Sequence, residues 1–497
     1  MDAMLTVRFG SFTVEESARL MSECAERSVF AEPSVYRSFE EVVQFTDRGG
    51  ENGGPGGGGQ EEQERGATGA GREGNGAGSS ASGKPAAAWT VSARSWDKRK
   101  CQDVFAWNST RLHSLASTEY VPHGLYNYGN TCFLNSVLHA LFACRDVRSF
   151  LRELEGESFP GDVAPVLESL VEFSKSVVVG TSDEDLARQG QTLASVSTSR
   201  GATFYPTVFE KITERFCNLT SGPGFDTPAS LPQQDAQEFL LHVLDQLHEE
   251  MIALRKKAIE EVGDASEEGG ARGSQGNGGA SPAPAEDWEE VGKNNKSSVT
   301  RRHTEVLNEG RKSRITSIFG GLLRSTVRAE GSKPSVCIEP FTFLQLDISS
   351  DEVEGVAEAM QRFSVPEYLD DYCVGGVASK TVQIEKPPLV MVVQLMRFSY
   401  TSSGHSIKLT KSCKIPDSLV VGKDTLVGGP PVEYELFATI SHHGNSLQSG
   451  HYTACVKDLN KRWFHCDDDE IWEMNGSGLE DGSSDTYLVL YRKKENV

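Results

Sequence analysis

No run of 18 apolar residues occurs anywhere in this chain, so the sequence predicts no transmembrane helix. The opening stretch, Met1 to Arg8, has no apolar core of signal-peptide length. None of the ten cysteines (24, 101, 132, 144, 217, 337, 373, 413, 455 and 466) forms a C-x-x-C pair. That removes the usual spacing of a structural zinc site, and no metal or cofactor is expected. Such wide scatter is not a disulfide framework; it reads as reduced thiols in the cytosol or nucleus. Nothing resembles a G-x-S-x-G elbow, which argues against serine-type chemistry. Positive charge is short, with 49 Lys and Arg against 71 Asp and Glu and a net charge of −22. This argues against nucleic acid or an anionic membrane as partner and is compatible with a substrate that presents a basic segment.

Hydrophobic content is also low, at 37 %. Much of the deficit lies in two tracts. Residues 49–88 hold no aromatic or branched aliphatic side chain, so they cannot bury enough surface to offset the entropy of ordering and read as a Gly-rich disordered linker. Residues 263–286 are Gly-, Ala- and acid-rich and read as a disordered insertion. The expected organisation is an N-terminal segment 1–48, the linker, an extension 89–121, and a catalytic domain 122–494 carrying the insertion. Helical periodicity is expected over Cys132–Leu151, over Val163–Val177 and after Pro232; beyond Ile315 the period shortens to two. Strands are expected at Ile315–Phe319, Leu322–Ala329, Phe341–Ile348, Leu389–Tyr400, Tyr434–His442, His451–Asp458, Arg462–Cys466 and Thr486–Tyr491, with a turn at Asp458–Lys461. Helices followed by an antiparallel sheet give an α+β class.

What is present centres on Gly124-Leu125-Tyr126-Asn127-Tyr128-Gly129-Asn130-Thr131-Cys132-Phe133-Leu134-Asn135. A polar loop runs into a cysteine just as an apolar helical pattern begins (Phe133, Leu134, Val137, Leu138, Leu141, Phe142). A helix N-terminus favours a thiolate and offers free N–H groups, so Cys132 suits a nucleophile. Its alternative is a small core residue. The base candidate is His451, preceded by Gly450 at the start of a strand, with His442 and His443 ending the strand before it. Asp467 opens an acidic run after the next strand, where hairpin pairing returns it beside His451. Asp468 is an alternative or supporting partner, and a merely solvated acidic loop is the other reading. Asn127 has an amide able to donate to an oxyanion, or else simply makes a turn.

Together these residues resemble a ubiquitin-specific protease, a papain-like cysteine peptidase. The resemblance covers about 124–491. Its boxes are Gly124–Asn135, then Gln233-Gln234-Asp235-Ala236-Gln237-Glu238-Phe239, then Gln394-Leu395-Met396-Arg397-Phe398, and finally Gly450-His451-Tyr452 with Trp463, the Asp run and Thr486–Tyr491. Within the family the chain is similar to the ubiquitin carboxyl-terminal hydrolase 10 subfamily, on Asp287–Gly292, Asn295–Arg301, Ile318–Gly321 and His442–Ser446. The resemblance implies a right-hand fold of thumb, palm and fingers and a thiol-dependent deubiquitinase acting on ubiquitin and ubiquitinated proteins. It implies that Gln233 and Asp235 contact the ubiquitin tail, that Glu238 supports the channel and that Tyr452 walls it; His442 and His443, by their place at the end of the preceding strand, are further candidates to line the cleft on the substrate side. Core packing is the alternative for Tyr452. A catalytically inactive ubiquitin-binding scaffold, or a protease for another ubiquitin-like modifier, are the competing functions. Phe9-Gly10-Ser11-Phe12 resembles a motif that docks a stress-granule protein through its nuclear-transport-factor-2-like domain, with a chance tetrapeptide as the alternative.

Overall fold

The apolar spacing that starts at Phe133 carries helix α1 (Cys132–Ala143), whose 12 residues are all buried. A helix enclosed on every side belongs inside a core, not on a surface. The single helix expected over Cys132–Leu151 is two, because Cys144 takes an extended backbone (φ −72°, ψ 110°) and α2 (Arg145–Glu153) restarts after it. Asp146 in the first turn of α2 is buried and accepts from Arg492 at 2.7 and 3.2 Å, which ties α2 to the last strand of the chain. Helices α3 (Pro165–Val177), α4 (Glu210–Ser221) and α5 (Ala236–Glu267) complete the thumb. The start of α3 is held by Glu250 of α5, whose carboxylate accepts from the backbone N–H groups of Val166 and Leu167 at 3.0 and 2.9 Å. An acid at a helix N-terminus supplies the missing acceptors and favourable charge. Helix α5 continues to Glu267, past residue 263, where the insertion was expected to begin.

This computed structural model describes residues 118–120, 122–157, 159, 163–180, 203–221, 232–267, 288–291, 298–302, 312–330, 333–373, 376–400, 406–446, 449–458 and 460–495. The N-terminal segment with Phe9, Gly10 and Phe12, the linker 49–88, most of the extension 89–121 and residues 268–286 lie outside the described residues.

The palm is an eight-stranded sheet. Its strands are β1 (Phe343–Leu346), β2 (Val390–Leu395), β3 (Ser418–Val421), β4 (Val432–Ser446), β5 (Ser449–Lys457), β6 (Trp463–Asp467), β7 (Glu470–Met474) and β8 (Thr486–Lys493). The order is β7-β6-β5-β4-β8-β2-β1, with β3 on β4. Pairing is antiparallel except that β1 runs parallel to β2, where only antiparallel neighbours were expected. Alternation splits the sheet between two cores. Val390, Val392, Leu488 and Leu490 join the thumb helices on one face, while Met391, Val393, Val489 and Tyr491 join Leu419, Val421 and Met360 on the other. Burial on both faces explains why these strands read as continuous apolar runs.

The segment expected to be one strand, Leu389–Tyr400, is broken at Arg397. This side chain is fully buried and donates to the carbonyls of Thr486, Leu409, Lys411 and Ser483 at 2.5 to 3.0 Å. A planar guanidinium with five donors can satisfy four carbonyls from separate segments at once. Ile315–Phe319, expected as a strand, is instead helix α6 (Arg314–Ile318). Ser313 accepts from the Thr316 N–H, and Thr316 Oγ1 accepts in return from the Ser313 N–H, a reciprocal cap that fixes a helix start. The fingers form a six-stranded sheet ordered 288–291, 298–302, 335–341, 321–329, 376–386 and 367–373.

Candidate active site

The loop before Cys132 folds around one amide. Asn127 Oδ1 accepts from the N–H groups of Gly129 and Thr131, each at 3.0 Å, and from Thr131 Oγ1 at 3.2 Å. Gly129 has φ 137°, a conformation that a side chain would oppose. Thr131 occupies the N-cap, so the Cys132 N–H lies in the first turn, where no intrahelical acceptor exists. Asn127 Nδ2 donates to Asp468 Oδ2 at 2.8 Å, leaving its second N–H for another acceptor. The segment before it is gripped from both sides. Leu125 N donates to the Asp468 carbonyl at 2.8 Å and Tyr126 N to the Phe204 carbonyl at 2.9 Å. The fit is tight: a Cβ on Gly124 would come within 2.4 Å of the Asp469 carbonyl oxygen.

His451 stands on β5 facing Cys132. Its Nε2 lies 2.5 Å from Asp467 Oδ1 and 3.9 Å from Asp468 Oδ2. With Nε2 engaged by Asp467, Nδ1 is the ring nitrogen left for the sulfur. The hydrogen bond with Cys132 raises the imidazole to about 9; desolvation opposes this and the Asp467 hydrogen bond adds to it. Asp467 arrives through the hairpin. Strands β5 and β6 pair Ala454 with Cys466 and Lys457 with Trp463, and the turn between them is closed by Asp458 accepting from the Arg462 N–H and guanidinium at 2.6 to 2.9 Å.

Asp468 has φ 50° and is buried. It accepts from Asn127 and, at 2.8 Å, from Asn135 Nδ2 on α1. Burial pushes its carboxyl up while the two amide donors work against that rise. It therefore joins palm to thumb, a role the bare Asp-Asp pair does not announce in sequence. Asn135 also donates to the Leu125 carbonyl at 3.2 Å, although the sequence shows it only as one more residue of a helix. His451, Asp467 and Asp468 also form the cluster of metal-ligand type found among the described residues. A cation there would have to displace the His451–Asp467 hydrogen bond.

The other predicted residues divide by strand pleat. His443 pairs with His451 and His442 with Tyr452 across β4 and β5, so the two pairs point to opposite faces of the sheet, the second toward the thumb. His443 is half exposed, with Nε2 2.9 Å from Thr453 Oγ1. His442 and Tyr452 are 0 % and 1 % exposed and pack on each other, with ring centroids 4.7 Å apart. Both are buried here on the thumb side of the sheet, with Tyr452 near enough to Cys132, Asp235 and Glu238 for their charges to act on it. Burial lowers the His442 imidazole to about 4. Gln233 meets the same loop, its Oε1 accepting from Gly450 N at 2.9 Å, and its Nε2 is buried with no partner. Asp235 caps α5 through the N–H groups of Gln237 and Glu238 at 2.7 and 3.1 Å and accepts from the Tyr487 hydroxyl at 3.0 Å. Burial raises its carboxyl to about 6. Glu238 is half-buried in the first turn of α5.

The family model for ubiquitin carboxyl-terminal hydrolase matches residues 123–491. The chain belongs to that family. It is 34 % identical over 367 residues to ubiquitin carboxyl-terminal hydrolase 24 of Arabidopsis thaliana, covering 71 % of this chain and 61 % of that one. It is 32 % identical to the probable ubiquitin carboxyl-terminal hydrolase 3 of Schizosaccharomyces pombe, covering 75 % and 74 %. It is also 32 % identical to ubiquitin carboxyl-terminal hydrolase 10 of Rattus norvegicus, covering 77 % of this chain and 49 % of that one. The chain thus spans between half and three-quarters of the length of these relatives. The fold is similar to that of the SAGA Ubp8/Sgf11/Sus1/Sgf73 DUB module bound to ubiquitin aldehyde (TM-score 0.51, 21 % identity, 76 % of this chain and 70 % of that one).

A pH profile follows from the site. A protonated His451 is the acid this site supplies, so kcat/KM falls as pH rises through about 9. The Asp467 hydrogen bond helps hold that value up, so Asp467→Asn shifts the descending limb to lower pH. Stopped-time rates with a ubiquitin fluorogenic amide between pH 6 and 10 measure both limbs.

Proposed function

We propose that this protein is a thiol-dependent deubiquitinase that hydrolyses isopeptide or peptide bonds at the C-terminal glycine of ubiquitin. The observation that carries the reading is the contact series Cys132–His451–Asp467 at the mouth of a buried helix. The Cys132 thiolate attacks the glycine carbonyl carbon, and charge moves onto the oxygen. The second Asn127 amide N–H and the Cys132 N–H stabilise that oxyanion. The His451 imidazolium gives its proton to the departing lysine amine, the C–N bond breaks and a thioester remains. A water then loses a proton to His451 and attacks the thioester; the C–S bond breaks, releasing the ubiquitin carboxylate and restoring the resting pair.

Gln233 and Asp235 lie at the N-terminus of α5, where the tail would approach. The partnerless Nε2 of Gln233 supports a donor role toward the tail backbone, and Glu238 and His443 flank it. No disulfide forms among the described cysteines, which supports action in the cytosol or nucleus. Phe9-Gly10-Ser11-Phe12 would dock a nuclear-transport-factor-2-like domain of a stress-granule protein. Among the described residues no helix is long and apolar enough to cross a membrane.

The test is turnover of ubiquitin, and separately of other ubiquitin-like modifiers, each carrying a C-terminal aminocoumarin. Release from ubiquitin is expected. Release only from another modifier, or binding of ubiquitin without release, overturns the reading.

A further inference from the structure

The palm sheet ends at β7, which pairs only with β6 among the described residues. On this edge strand Trp472 is 45 % exposed, and its ring stacks on His465 with centroids 4.3 Å apart and planes 24° from parallel. Large aromatic side chains on a solvent-facing edge are unusual, because edges invite unwanted pairing. The register fixes which way they face. Trp472 lies opposite His465, and His465 opposite Cys455. Asp467 is two residues beyond His465, and His451 four before Cys455. Period two therefore places Trp472, His465, Asp467 and His451 on one face of the sheet.

The direction of the substrate across that face follows from the proposed function, on which this inference rests. Gln233 reaches Gly450, and Asp235 reaches Tyr487 on β8, so the ubiquitin tail enters from the β4–β8 side. A scissile bond held at Cys132 then sends its leaving amine past Asp467 toward β6 and β7. Two exposed acids, Asp469 and Glu470, precede Trp472, and Glu470 shares its face by the same period. Glu473 points to the opposite face, where Arg462, lying over Phe464, is 3.8 Å from it.

We propose that the Trp472–His465 stack and the β7 edge bind the leaving protein, selecting an extended segment with Lys or Arg beside the modified lysine. The aliphatic stems lie on the indole face and the charges reach Glu470 and the neighbouring Asp469, while main-chain groups pair with the open edge. A polar or anionic segment meets the same acids unfavourably, which makes the surface a selector of substrates and not of ubiquitin.

The experiment uses the full chain with three substrates: ubiquitin–aminocoumarin, ubiquitin isopeptide-linked to the central lysine of a basic peptide, and the same peptide with its flanking cations replaced by glutamate. The wild type prefers the basic over the acidic peptide. Trp472→Ala lowers kcat/KM for the basic peptide about tenfold, chiefly through KM, and changes coumarin release by less than about twofold, as truncating an interface anchor does. Glu470→Lys narrows the basic-over-acidic preference. Equal effects of Trp472→Ala on coumarin and peptide substrates, or equal wild-type rates on the two peptides, overturn the inference while leaving the deubiquitinase reading standing. A wild type inert toward all three overturns both.

Discussion

Replacing Cys132 with alanine should lower deubiquitinase turnover by about four to six orders of magnitude, as loss of a covalent nucleophile does elsewhere. The expectation has a structural basis. Cys132 is only 3 % exposed, and the substitution removes one sulfur without disturbing the all-buried packing of α1. Affinity for ubiquitin should therefore survive, since the surfaces that would hold it are untouched. Cys132→Ser is the sharper variant. It keeps a hydrogen-bonding group beside His451, but a hydroxyl ionises far less readily than a thiol, so an ion pair with the imidazole is lost. The comparison is made by measuring ubiquitin binding calorimetrically and turnover fluorometrically on the same preparations. Residual turnover within about tenfold of wild type would mean that the chemistry runs through another group.

Asp468→Asn should have the second-largest effect, a fall in kcat of about 10²- to 10³-fold, equivalent to roughly 2.7–4 kcal/mol of barrier. Asparagine tolerates the φ of 50° at this position, so the backbone need not strain. Its amide, however, can accept on one side only. One of the two donors now satisfied at 2.8 Å, Asn127 or Asn135, is left facing an N–H group. If Asn127 loses its partner, its amide is held only through Oδ1 and the oxyanion donor is less firmly aimed; if Asn135 does, α1 loosens from the Leu125 segment. Both outcomes weaken charge stabilisation in the transition state more than substrate binding, so KM should change little. Asp467→Asn acts differently, through the His451 proton, and should move the alkaline limb further down than Asp468→Asn does. A pH series of kcat for the two variants separates these roles. Identical profiles would show that the two acids act as one unit.

Much of this site can be read from local pattern. The loop from Gly124 to Thr131 ends where apolar periodicity begins, so a cysteine at a helix start was legible. The turn at Asp458–Lys461 made the return of Asp467 toward His451 legible as well, because a hairpin brings its two strand ends together whatever surrounds them. What escaped were contacts made by parts of the chain far apart. Asp468 gains its meaning from amides 341 and 333 positions away. Nothing local in the sequence shows that Tyr452 and His442, beside His451 and His443, are buried; the packing of the thumb on β4 and β5 decides that. Local competition misled in one place. Ile315 and Thr316 favour a strand, yet the reciprocal cap between Ser313 and Thr316 closes a helix there. The finger strands at 367–373 and 376–386 were missed because much of their surface is exposed, as at Tyr368 and Val377, so little apolar alternation marks them.

The central claim is that one sulfur is made reactive by His451 toward the ubiquitin terminus. It is tested most directly by incubating the full chain with ubiquitin bearing a C-terminal propargylamide and mapping the covalent adduct by peptide mass spectrometry. A single vinyl thioether at Cys132, lost in His451→Ala, is the predicted result. Modification of a different cysteine, or tight ubiquitin binding with no adduct at all, would contradict it.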